Sequence, residues 1–190
     1  GADGFDCSVL KGRRMINLDS EEEGRLWVSC AGGVSGNSYL PVQRVEASGE
    51  KVSVKITGLT GGHSGAEIHK NRASANILIG QFLYELGSIC GYALKDLEGG
   101  LKDNAIPREC TAALLVLPEE VSLVTSQAEK MQAAFREEYA GSDENITIQV
   151  TKEGNEDAEV LHPTSQEKVI FFLMNLPFGV KKMSGTIEGL

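Results

Sequence analysis

Between Lys51 and Leu86 the hydrophobic period of this chain changes from two to that of a helix, and this switch limits the folds open to it. Val52, Val54 and Ile56 alternate with Lys51, Ser53, Lys55 and Thr57, the pattern of a strand with one buried face. A glycine-rich loop from Gly58 to Gly65 follows. Then Ala75, Leu78, Ile79, Phe82, Leu83 and Leu86 recur at helical spacing, which predicts a helix over 71–87. A one-faced strand followed at once by a one-faced helix buries both stripes by packing one on the other.

The rest of the chain extends this pattern. Strands are expected at 26–30, 42–47, 92–101, 110–117 and 145–151, with a turn at Ser48-Gly49-Glu50 between the second strand and the one from Lys51. A helix is expected over 118–139, opened by Pro118 with Glu119 and Glu120 in its first turn, where proline is tolerated and acids suit the helix dipole. Another is expected over 163–176, stopped by Pro177 and Gly179. From 51 to 151 the order is strand, helix, strands, helix, strand. That order predicts an α+β two-layer sandwich, ferredoxin-like, with an antiparallel sheet and its helices on one face.

Charge narrows the partners. The net charge is −9 and the pI about 4.9, which argues against nucleic acid and against an anionic membrane, since both need clustered Lys and Arg. No apolar run is long enough to cross a bilayer. Cys7, Cys30, Cys90 and Cys110 are widely spread with no CxxC pair, so reduced, mostly buried thiols of a cytoplasmic protein are expected.

Three segments could carry chemistry. The apolar run Met15-Ile16-Asn17-Leu18 is followed by Asp19-Ser20-Glu21-Glu22-Glu23-Gly24. A short buried strand that ends in carboxylates would deliver an acid at its C-terminal end, where ligands gather in open sheets. Asp19 could ligate a metal, although spacing alone favours a solvated acidic turn, and no nearby His completes a ligand set. The second segment is Gly61-Gly62-His63-Ser64-Gly65, between a strand and a helix. Its glycines leave His63 accessible, able to donate to an oxyanion or a carboxylate; by spacing alone a locally hydrogen-bonded loop histidine fits better. His69 and His162 are weaker candidates. The third is Asn104-Ala105-Ile106-Pro107-Arg108-Glu109, in which Asn104 offers an amide and Arg108 a planar fork for a carboxylate. A polar β-turn is its simpler reading.

Taken in order, Ile16 to Gly24, Cys30-Ala31-Gly32-Gly33, Gly61 to His69 and Asn104 to Glu109 resemble the co-catalytic zinc metallopeptidase family of aminoacylases, carboxypeptidase-type enzymes and dipeptidases, and within it the branch that cleaves aminoacyl-histidine dipeptides. The resemblance implies a catalytic domain holding two zinc ions and an inserted lid that also dimerises. By it, Asp19 is a terminal metal ligand. His63 is a lid histidine that steadies the oxyanion in the other subunit's active site, and Asn104 and Arg108 hold the C-terminal part of a dipeptide substrate. The family's catalytic Glu, first His ligand and bridging Asp are expected upstream of Gly1, and its last His ligand downstream of Leu190. On this reading residues 1–30 are the trailing edge of the catalytic domain, 31–178 the lid and dimerisation domain, and 179–190 the return segment. Alone, such a piece is expected to be inactive and to hold no zinc tightly. The lid motifs are also compatible with an N-acyl amino acid deacylase. From another class, a free-standing ferredoxin-like binding or dimerisation module is the alternative.

Overall fold

The computed structural model describes residues 4–14, 16, 23–26 and 32–186. The chain divides into two compact units, Gly1–Asn37 and Ser38–Leu190. In the first, a short 3₁₀ turn, Cys7–Val9, is capped by Asp6, whose Oδ1 accepts the N–H of Ser8 at 2.9 Å. Asp19 and residues 27–30 of the strand expected at 26–30 lie outside the described residues.

The second unit is the expected sandwich. Its strands are β1 (Arg44–Thr57), β2 (Gly62–His63), β3 (Tyr92–Gly99), β4 (Ala105–Ile106), β5 (Cys110–Val116) and β6 (Thr147–Leu161). Its helices are α1 (Ala75–Leu86), α2 (Val121–Glu138) and α3 (Pro163–Asn175). The main sheet runs β3-β5-β1-β6, and every neighbouring pair is antiparallel. Val52, Val54 and Ile56 of β1 are fully buried beside Leu114, Ala112 and Cys110 of β5, as the alternation predicts. Over them lie Leu78, Ile79, Phe82, Leu83 and Leu86 of α1, also fully buried. Each such side chain contributes about 1.5–3 kcal/mol on leaving water. Val124, Ala128, Met131 and Phe135 of α2 and Leu173 of α3 complete one core. Burial pushes the Cys110 thiol up to about 12; Cys90 is buried as well, whereas Cys7 is exposed.

Three sequence expectations are corrected. Ser48-Gly49-Glu50 is not a turn: β1 runs straight through it, paired with Asp157, Glu156 and Asn155 of β6. The glycine serves close approach, since a Cβ on Gly49 would lie 2.8 Å from the Val116 carbonyl oxygen. Glu50 is buried and pairs with Lys152 at 3.0 Å. β6 does not end at Thr151 but continues to Leu161 as the partner of this first half of β1. Helix α1 starts at Ala75, after a 3₁₀ turn (Ile68–Lys70) and Asn71 in the left-handed region.

Both border strands carry side-chain caps on their backbones. Gln166 of α3 accepts the Leu94 N–H at 2.7 Å and donates to the Tyr92 carbonyl at 3.3 Å. On the other border, Gln132 of α2 accepts the Ile148 N–H at 2.8 Å, and Arg136 donates to the Ile146 carbonyl at 2.6 Å. Such caps blunt strand edges that would otherwise template pairing. Beyond Ile148 the described residues place one such cap on β6, Arg44 Nη1 donating to the Glu159 carbonyl at 3.3 Å.

Candidate functional site

Two of the three segments singled out in the sequence meet in space. β2 and β4 form an antiparallel ribbon, with Gly62 opposite Ile106 and His63 opposite Ala105. The Ser64 N–H extends it by donating to the Asn104 carbonyl at 3.0 Å. Ile106 of the ribbon is buried. Pro107 lends its carbonyl to the Ala75 N–H at 3.0 Å, satisfying a donor at the start of α1.

His63 is exposed, as the glycines around it predict, but its ring is held. Nδ1 accepts the backbone N–H of Gly65 at 3.0 Å and of Ala66 at 3.1 Å. A nitrogen that accepts carries no proton, so in the neutral ring the proton sits on Nε2. Nε2 has no partner among the described residues. The local hydrogen bonding that spacing alone suggested is therefore present. It consumes one nitrogen, sets the tautomer and leaves the other as an outward donor.

The neighbouring carboxylate of Glu67 accepts the His63 N–H through Oε2 at 2.9 Å. Its Oε1 lies 2.8 Å from Lys70 Nζ and 3.1 Å from Arg72 Nη1. The Lys70 hydrogen bond first, and the His63 N–H second, hold this carboxyl down at about 2. Arg72 also donates to the Gly61 carbonyl. The ion pair lies over Gly62, whose φ of 139° favours glycine and whose Cβ would stand 2.3 Å from Arg72 Nη1 and 2.6 Å from Glu67 Oε2.

The base of the loop is closed by Asp143, in the turn between α2 and β6. Its Oδ1 accepts the Thr60 N–H at 2.6 Å and its Oδ2 the Ala73 N–H at 2.8 Å. Asp143 is 1% exposed. Thr60 Oγ1 adds a bond to the Ser142 carbonyl at 2.8 Å. Sequence reasoning missed Asp143, because an acid after Gly141-Ser142 looks like any solvated turn residue. Glu67 stood within a quoted motif but without a role, and Arg72 was not singled out.

The remaining candidates are placed as follows. Asn104 is exposed, and its side chain has no partner among the described residues. Arg108 is exposed and donates weakly to the Leu59 carbonyl at 3.4 Å; its stem crosses Gly61, where a Cβ would be 2.2 Å from Arg108 Cγ. His63, Asn104 and Arg108 thus belong to one ribbon and its flank, and Asp19 lies outside the described residues. His69 is exposed in the 3₁₀ turn. His162 is the N-cap of α3, accepting the Thr164 N–H at 3.3 Å. Among the described residues no group of three His, Cys, Asp or Glu is placed to hold a metal ion, and no helix is long and apolar enough to cross a membrane.

Comparison with known proteins agrees with this architecture. Residues 54–143 match the family described as the peptidase dimerisation domain. The chain is 33% identical over 192 residues to the cytosol non-specific dipeptidase of Escherichia coli (strain K12), a match that covers 100% of this chain and 39% of that protein. The crystal structure of aminoacylhistidine dipeptidase from Vibrio alginolyticus matches with a TM-score of 0.77 and 28% identity, again over 100% of this chain and 39% of the other. The chain therefore spans about two fifths of the length of these relatives.

Proposed function

We propose that this chain, whose residues 54–143 match the peptidase dimerisation domain family, serves as the lid of a longer dipeptidase and supplies His63 as a donor to the oxyanion of peptide hydrolysis. The observation that carries this reading is the state of the imidazole: Nδ1 is held by two backbone N–H groups and Nε2–H is left facing outward. When water adds to a peptide carbonyl, negative charge develops on the oxygen. A donor aimed at that oxygen in advance lowers the barrier, because it does not have to reorganise. Asn104 and Arg108, on the same ribbon, would hold the carboxylate end of a dipeptide, the Arg108 fork being suited to it. Both relatives named above are dipeptidases, and an aminoacyl-histidine dipeptide is the substrate class we assign, in the cytoplasm.

In this reading residues 31–178 are the lid, 1–30 the trailing edge of a catalytic domain and 179–190 the return to it. The domain dimerises, so that His63 reaches the active site of the partner subunit. The outer edge of β6, sparsely capped beyond Ile148, supports a second copy docking there, as does a groove of about 750 Å³ between α1 and α3, lined by Tyr84, Phe171 and Met174 among others. The family resemblance brings two zinc ions. The described residues do not fit them: no cluster of three ligands exists. The ions would belong to the remainder of the longer protein, with Asp19 as one ligand.

The test is His63→Ala in the full-length enzyme. We expect kcat to fall by about 10²–10³-fold, the cost of one oxyanion donor, with unchanged metal content and unchanged circular dichroism. An unaltered kcat would refute the assignment.

A further inference from the structure

Glu67 has no part in the chemistry above, yet it grips the residue that does. Its side chain accepts the His63 N–H at 2.9 Å, while its own N–H donates to the His63 carbonyl at 3.0 Å. Residues 63–67 are thereby closed at both ends. His63 reciprocates: its Nδ1 accepts the N–H groups two and three residues on. This is the logic of a capping box, in which a cap side chain serves the N–H three residues ahead and an acid reaches back to the N–H of the cap. A serine or threonine in that role would spend its only oxygen. Imidazole has a second nitrogen left over.

We propose that Glu67 is a positioning residue for His63: by clamping its main chain it keeps Nδ1 on the Gly65 and Ala66 N–H groups and so fixes the direction of Nε2–H. The proposal rests on the reading of His63 given above. Glu67 does not act on substrate itself, since Oε2 is taken by the His63 N–H and Oε1 by Lys70 and Arg72. Nor is it only a surface ion pair, a class of contact whose net effect is small. The cations orient the carboxylate, and the carboxylate holds a backbone donor. Arg72 braces the same turn from the other side through the Gly61 carbonyl. Gly62 is the residue that lets the pair lie so close to the chain.

The experiment has two arms. In the 190-residue chain, amide hydrogen exchange is measured by NMR at Gly65 and Ala66, two N–H groups that Glu67 does not touch. Glu67→Ala should speed their exchange by about tenfold or more, because they are released only if the ring leaves them. Glu67→Gln, which keeps an acceptor, should restore part of the protection. Unchanged exchange at Gly65 and Ala66 in Glu67→Ala would overturn the proposal. In the full-length enzyme, Glu67→Ala should lower kcat by about 10- to 100-fold with KM nearly unchanged, the scale of a small misplacement. In the His63→Ala background the same substitution should cost nothing further. A further loss there would show that Glu67 acts other than through His63, and would also overturn the proposal. If His63→Ala alone leaves kcat unchanged, the oxyanion reading fails, and the exchange arm still decides whether Glu67 positions the ring.

Discussion

Asp143→Ala removes a side chain that holds both ends of the His63 loop, and the structure sets the size of the effect. Asp143 is 1% exposed and accepts two backbone N–H groups, at 2.6 and 2.8 Å. The two donors fare differently once it is gone. Ala73 is fully buried, so its N–H finds no water and bears the cost of an unsatisfied group, about 1–3 kcal/mol. Thr60 is exposed, so its N–H regains water and only the net value of a hydrogen bond is lost, about 0.5–1.5 kcal/mol. Together the substitution should destabilise the domain by about 1.5–4.5 kcal/mol. Asp143→Asn keeps one acceptor and turns an NH₂ against the other donor, so it should also destabilise, by less. Urea unfolding followed by far-UV circular dichroism measures this; the signal is apt because the chain's single tryptophan, Trp27, lies before the domain's first strand. A change below about 0.5 kcal/mol, the range of ordinary surface substitutions, would refute the claim that this carboxylate closes the loop.

Gly49→Ala should destabilise the domain by about 1–3 kcal/mol, because its Cβ would be driven into the Val116 carbonyl in a packed sheet; the same urea assay checks it. The Glu67 carboxyl sits near 2, against 4.5 ordinarily, chiefly through Lys70. A depressed carboxylate stabilises above its ordinary value and loses that contribution as pH falls through the folded one. The Glu67 clamp on the His63 N–H should therefore persist at pH 5 and be lost between about 4.5 and 2. The NMR shift of the Glu67 carboxyl carbon would follow it, and a titration already complete above pH 5 would contradict the assignment.

The sheet and α1 were legible because burial on one face imposes period, and Val52, Val54, Ile56 and the α1 leucines and phenylalanine obey it. The first half of β1 was misread for a physical reason. Gly49 is small because Val116 approaches it, and a glycine needed for space looks in a sequence like one needed for a turn. The extension of β6 over 152–161 is rich in Glu, Asn and Asp, and it is a strand because β1 supplies its hydrogen bonds, a cause with no apolar signature. The exposure of His63 was readable from its glycines. Its pairing with Ala105, the anchoring of its loop by Asp143 and its clamp by Glu67 join residues far apart or of ordinary type, and only the fold brings them together.

The central claim is that this domain supplies His63 to the active site of its partner. The most direct measurement uses mixed dimers of the full-length enzyme in which one chain carries both Asp19→Ala, to disable its metal site, and His63→Ala, and the other chain is wild type. If His63 acts across the dimer, the intact metal centre faces a partner without the imidazole, and the surviving imidazole faces a disabled centre. Activity should then collapse to near background. Retention of about half the wild-type activity, as expected if each subunit serves itself, would contradict it.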